Sequence, residues 1–248
     1  PDIVTSLFPW DDDLLIFGGD HSLWRMDGNP MAGGQFSLMS DQTGMAAGRP
    51  WTREPGGQVA YFMSSSCGVY ALQRGGGMIR LTRDRIERRL QDSIDFTTHY
   101  VRLAWNYRDE GLHVLQCPLG SGGTIVKHWF WDRKNDAWFE DQFGTSTDTT
   151  KQPTAVYVLD GDAPSDRVLL LGREDGRVAV WDPDAPSDDY GTATSLGVGG
   201  GDDLAIDSRV TVGPIQPRDP QFETQFQELR VWLARDQDGV HYEVFADD

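Results

Sequence analysis

Cysteine is nearly absent. Cys67 and Cys117 are the only two in 248 residues, and they stand far apart. That excludes a disulfide scaffold, and with no C-x-x-C pair it excludes the common thiolate metal knuckles. Two thiols in strand-like surroundings read as buried core residues. Basic residues are scarce too: 22 Lys and Arg against 39 Asp and Glu, a net charge of −17 and a pI near 4.5. Such a balance excludes a general electrostatic grip on nucleic acid or anionic lipid. Long apolar runs, a secretory leader and lipidation signals are missing from the residues present, so no membrane anchor is expected. The first residue is proline, which is compatible with a piece of a longer protein.

Aromatic and turn-forming residues are plentiful. Nine tryptophans, 11% aromatics and 38% hydrophobics rule out a disordered segment, and 28 glycines with 13 prolines punctuate the apolar runs. The punctuation repeats. Residues 14–17 (LLIF), a Gly-Gly-Asp turn and residues 22–26 (SLWRM) read as strand, turn, strand. The phrase returns at 59–63 and 69–72, at 112–116 and 125–131, and at 168–171 and 178–181. Steps of about 45 to 55 residues fit four-stranded β-propeller blades. Residues 127–132 and 137–140 form a further hairpin across Arg133, Lys134, Asn135 and Asp136. Thr82 is placed to cap a short helix carrying Ile86 and Leu90.

The expected fold is therefore all-β: a β-propeller of repeated antiparallel hairpins, with a C-terminal β-hairpin or small β-sandwich extension. The extension is read from Leu229, Val231 and Leu233, a turn at Asp238 and Gly239, then Val240, Tyr242 and Val244. A stretch rich in Asp, Pro, Ser and Gly, ending in Gly199, Gly200 and Gly201, sets a boundary between a propeller-like domain at 1–200 and residues 201–248, whose strands either close the propeller or form a small sandwich.

Catalytic patterns do not emerge. None of the five histidines belongs to a metal-binding helical pair, and no nucleophile elbow, P-loop or dinucleotide fingerprint occurs. Asp20, His21 and Ser22 have the residue types of a hydrolase triad, but adjacent strand positions face opposite ways, so a turn is the better account. Asp160, Asp162, Asp182, Asp184, Asp188 and Asp189 could offer oxygens to calcium without fitting the EF-hand loop, and solvated turn acids are the default. No catalytic, cofactor-binding or metal-ligating residue is assigned, no cofactor is expected, and no enzyme is read. The one charge anomaly is Arg80, Arg83, Arg85, Arg88 and Arg89, set against Asp84 and Glu87. In so acidic a chain these arginines suggest an assembly contact with an acidic neighbour, with a solvated face the equal alternative.

Several phrases carry a family resemblance: residues 15–18 with 22–30 (IFG and SLWRMDGNP), 57–62 with 68–70, 101–105, 111–114, 128–132 with 137–138, and 170–172 with 175–176. Together, over residues 14–213, they resemble structural proteins of tailed-bacteriophage virions, the propeller-bearing tail nozzle or hub group. The resemblance implies a tail component of the virion acting as nozzle, hub or adaptor, arranged as a ring of copies of itself around or near the DNA conduit. It also implies contacts with other tail or portal-adaptor proteins, at most transient passage of DNA, and no catalytic residues. A protein-interaction scaffold and a carbohydrate-binding or carbohydrate-cleaving propeller, the latter using Trp24, Trp51 or Trp138, are the competing expectations.

Overall fold

The computed structural model describes residues 2–83, 85–120, 127–141, 143, 152–159 and 167–181, and the backbone of two short strands, β16 (Ser187–Asp188) and β17 (Leu204–Ala205), which pair with each other. The chain divides into two units, Pro1–Val210 and Thr211–Asp248. The second unit, with the expected C-terminal hairpin or sandwich, lies outside the described residues, as does the expected boundary at 200.

The first unit is built from antiparallel meanders. The first sheet runs β1 (Val4–Asp11), β2 (Leu14–Gly19), β3 (Leu23–Asp27), β4 (Gln35–Ser40), with neighbours in chain order. The second is β5 (Trp51–Arg53), β6 (Val59–Met63), β7 (Val69–Gln73), β8 (Met78–Arg80), and the third β9 (His99–Asn106), β10 (Gly111–Pro118), β11 (His128–Asp132), β12 (Ala137–Asp141). The fourth has three strands, β13 (Pro153–Leu159), β14 (Val168–Arg173) and β15 (Val178–Val180). Each repeated hairpin of the sequence is the second and third strand of one meander. Residues 121–126, between β10 and β11, lie outside the described set.

Alternation along the central strands explains how the sheets stack. In β6, Ala60 and Phe62 pack with Phe8, Trp10, Leu14 and Ile16 of the first sheet. The intervening Tyr61 and Met63 pack with Leu103, Trp105, Leu112 and Trp129 of the third. Successive strand residues point to opposite faces, so a strand apolar at every position must be covered on both. The third sheet repeats this: Leu112 and Val114 face the second sheet, while Leu115 and Cys117 face Leu169 and Leu171 of the fourth. First strands lie side by side as well. Trp51 Nε1 donates to the Leu7 carbonyl at 3.0 Å, the Arg53 guanidinium donates to the Trp10 carbonyl, and β9 adjoins both β5 and β13.

A segment crossing from the first sheet to the second presses backbone against backbone at Gly44. The Met45 N–H donates to the Gly19 carbonyl at 2.8 Å, and Thr5 Oγ1 donates to the Met45 carbonyl at 2.9 Å.

α1 (Glu87–Ser93) sets Leu90 into the core beside Ile86 and Ile94. Thr82 does not cap it. Its N-cap position is Ile86, without a side-chain cap, and the buried Thr82 hydroxyl instead accepts the Val69 N–H at 3.2 Å. The hydroxyl meets a donor of β7 at the end of β8, a tertiary demand that local helix signals do not register.

Among the described residues, both ends of the stack stop on apolar sheet with no further described element against it. Registry places Leu7, Pro9, Leu15, Phe17, Trp24, Met26, Phe36 and Leu38 on the outer face of the first sheet. Phe36 is 58% exposed and Leu38 49%. The outer face of the fourth sheet carries Ala155, Tyr157, Leu159, Val168, Leu170, Gly172, Val178 and Val180, with Val178 68% exposed and Val180 58%. Among the described residues neither face bears a charged residue. Among the described residues the sheets form an open stack.

The two cysteines are buried and unbridged. Burial pushes the Cys67 thiol up to about 11 and the Cys117 thiol up to about 12, which suppresses the reactive thiolate. A thiol reagent at pH 8 is therefore expected to leave the folded chain unlabelled for hours and to label both sites promptly in denaturant. Rapid labelling of the folded chain would contradict this placement.

Candidate functional site

The arginine group singled out by sequence is partly occupied within the chain. Arg80 pairs with Glu87 and lies over the Tyr70 ring, 5.5 Å from its centre. Arg85 bonds both the carbonyl and the carboxylate of Asp136, at the β11–β12 turn. Arg83, Arg88 and Arg89 are exposed, and Arg88 and Arg89 have no ion pair among the described residues. The sequence cluster thus separates into two arginines that brace α1 and the adjoining turn, and an outward group on and beside the helix.

A groove of about 570 Å³ opens where the second and third sheets meet, lined by Glu54, Trp105, Tyr107, Glu110, Arg133 and Lys134. Arg133 closes on Glu54 at 2.7 Å and sits 5.8 Å over the centre of Trp105. Its cation is already matched by a carboxylate and a ring.

The most unusual chemistry lies between the third and fourth sheets. His113, His128 and Asp141 share one face of the third sheet, because the β10–β11–β12 registry sets His113 opposite Phe130 and His128 opposite Asp141. Asn106 Nδ2 stands 3.2 Å from His113 Nε2 and donates to Asp109 Oδ2 at 2.8 Å. An amide donor at Nε2 assigns the His113 proton to Nδ1, which faces Asp141 Oδ2 at 3.9 Å. That is too long for a hydrogen bond, and the two groups are no ion pair at neutral pH. Burial holds His113 down at about 3 and lifts Asp141 to about 6. His128 is also held at about 3, by burial first and then by the neighbouring His113 and His99. Its Nδ1 accepts the Gln116 N–H at 3.2 Å, leaving Nε2 buried without a partner, as is Trp181 Nε1. Such orphans cost stability unless water or another group satisfies them.

This cluster has an acid, a base and an orienting amide, but His113 turns its two nitrogens to Asp141 and Asn106, so no hydroxyl or thiol nucleophile engages it. No group of three or more His, Cys, Asp or Glu able to hold a metal occurs among the described residues. Sequence reading missed the cluster because His113, His128 and Asp141 meet only through strand registry. The available signal was two histidines set in runs otherwise apolar.

Asp20, His21 and Ser22 form a turn, as expected, clamped by Asp2, whose carboxylate accepts the N–H groups of Asp20 and His21 and the Ser22 hydroxyl. The Ser22 hydroxyl first, and then these amides, pull Asp2 down to about 2. Of the tryptophans considered for glycans, Trp24 is exposed, while Trp51 and Trp138 are half-buried beside the cores. Trp24 lies among apolar neighbours on its sheet face and donates its Nε1–H to the Ser22 hydroxyl at 3.1 Å. The Asp-rich loops considered for calcium lie outside the described residues. No protein-family model matches this sequence, and no curated protein matches it.

Proposed function

We propose that this chain is a structural component of a bacteriophage tail, a nozzle, hub or adaptor, in which β-meanders complete a propeller and copies of the chain assemble in a ring near the DNA conduit. The observation that carries the reading is the stack of four meanders ending, among the described residues, on two apolar faces. A protein that works alone rarely leaves apolar patches of that extent in water, whereas an assembly component leaves them for its neighbours. Strong negative charge suits the role, because an acidic wall repels passing DNA rather than gripping it. The phrase resemblance to tail proteins supplies the virion setting. No catalytic step is part of the reading, and Arg88 and Arg89 are the outward cations available to an acidic neighbour.

Phage particles purified from the source culture test it. An antibody against the chain is expected to decorate tails in electron micrographs, and tryptic peptides of the chain to co-purify with particles at several copies each. Particles free of the chain would end the proposal and leave a cellular interaction scaffold as the better account. Substituting Arg88 and Arg89 with glutamate is expected to leave thermal stability within about 0.5 kcal/mol, since both are exposed, while weakening incorporation into particles.

A further inference from the structure

The two faces of the third sheet are built differently. Toward the second sheet it presents Leu112, Val114, Trp129 and Trp131, part of a cluster of sixteen buried residues. Toward the fourth it presents His113 and His128 beside Leu115 and Cys117, and the apolar cluster there buries five side chains among the described residues. His113 meets the Trp181 ring edge-on at 4.8 Å between centres, and Phe143 stands 4.9 Å from His128 and 5.9 Å from Trp181. Both imidazoles are buried, 1% and 0% exposed, and no other histidine among the described residues is. We infer that this face is an acid-sensitive joint: protonation of His113 and His128 parts the fourth sheet, β13–β15, from the third, while the first three sheets stay packed.

Neither ring has room for a second proton. A neutral imidazole has one acceptor nitrogen, and in both rings that nitrogen faces a donor. His113 Nε2 faces the Asn106 amide at 3.2 Å. That amide cannot reverse, because its oxygen accepts the N–H groups of Arg108 at 3.0 Å and Asp109 at 3.3 Å. His128 Nδ1 faces the Gln116 backbone N–H at 3.2 Å, which β10 holds in place. A proton added at either nitrogen sets N–H against N–H, so a bond is lost as a buried charge appears.

The surrounding groups do not offset that charge. On β12, Asp141 faces His113 Nδ1 at 3.9 Å, but burial lifts its carboxyl to about 6, so it takes up its own proton before the rings do. On the β9–β10 turn, Asp109 accepts from the Asn106 amide instead of from a ring. His99 on β9 already opposes charge on His128. Arg102 of β9 lies over Tyr100 and Arg167, just before β14, over Tyr107, and both bring further positive charge. Lys127 is paired with Glu140 and Arg173 with Asp175, and β13 and β15 carry no charged residue. The other interfaces lack such a trigger. The first–second cluster has no ionisable side chain among its buried residues. The second–third cluster has only Tyr61 and Cys67, which burial pushes up to about 12 and about 11.

The two cysteines report the two faces separately, since Cys117 lies in the joint and Cys67 in the core between the second and third sheets. The full chain is treated with dithiodipyridine, which reacts with thiols in acid as well as in base. Labelled peptides are quantified by mass spectrometry, and each rate is divided by that of the same cysteine in denaturant at the same pH. Between pH 8 and pH 5 the Cys117 rate is expected to rise about 100-fold and the Cys67 rate less than about threefold. His113→Gln combined with His128→Gln is expected to abolish the rise. Where circular dichroism shows that the double variant has not kept the fold, His113→Gln and His128→Gln are used singly, and each is expected to cut the rise about 30-fold. Equal acceleration of both cysteines would mean that the whole stack unfolds, and overturns the joint. A Cys117 rate that does not change with pH overturns it too, as does a rise that the glutamine variants keep. None of these outcomes bears on the tail reading, and particles that lack the chain leave the joint standing.

Discussion

Gly44→Ala is expected to destabilise the first unit by about 3 kcal/mol or more, and to shift its urea midpoint accordingly. A Cβ on Gly44 would stand 2.1 Å from the Asp20 carbonyl oxygen and 2.4 Å from that of Gly19. These are backbone atoms, and they cannot rotate away as a side chain does. Relief requires the crossing segment to lift, which strains the bond from the Met45 N–H to the Gly19 carbonyl and the Thr5 anchor beside it. Gly48 supplies the control four residues on. It has φ +91 and open space around its Cβ position, so Gly48→Ala carries only the left-handed backbone penalty of about 1–2 kcal/mol. Equal losses at the two sites would mean that close approach is not what Gly44 provides.

Acid is expected to weaken the fold early, beginning near pH 6.5. His113 and His128 have folded values near 3 against an ordinary 6.5. Between those values the unfolded chain takes up protons that the buried rings refuse, so stability present above pH 6.5 is lost as pH falls through the window. At pH 5 the two rings together remove about 4 kcal/mol. Asp141 acts in the opposite sense. Its folded value of about 6 lies above the ordinary 3.8, so its charged form burdens the fold above pH 6, and the burden lifts as pH falls toward 4. That returns about 1 kcal/mol at pH 5, leaving a net loss near 3 kcal/mol relative to pH 8. Replacing both histidines with glutamine removes the early loss and leaves the Asp141 slope alone. Asp141→Asn is expected to raise stability at pH 8 by about 3 kcal/mol, an advantage gone below pH 4. Urea titrations at pH 8, 6.5 and 5 decide it, and a wild-type midpoint that does not move between pH 8 and 5 would refute the neutral-histidine account.

The repeated hairpins were legible because their strands are dense in apolar residues and their turns in glycine. LLIF and VAYFM announce buried strands wherever they fold. The first strands were harder to see. β5 is three residues long, and β1 contains Pro9, which its outward position tolerates. β13 alternates between covered Val156 and Val158 and exposed Tyr157 and Leu159. The arginine group was visible as composition, but its division was not, since Asp136 lies 51 residues from Arg85 and only the fold joins them. For the same reason the His113, His128 and Asp141 cluster has no signature along the chain.

Serial stacking also governs how this protein comes apart. Among the described residues each sheet packs on the sheets beside it, so its energetics approach a one-dimensional chain of units coupled to nearest neighbours. Loss of an end sheet removes one interface, while loss of the second or third removes two and severs the stack. Opening should therefore start at the termini and travel inward. Amide exchange should be slowest in β6 and β10, which are enclosed on both sides, and fastest in β4 and β15.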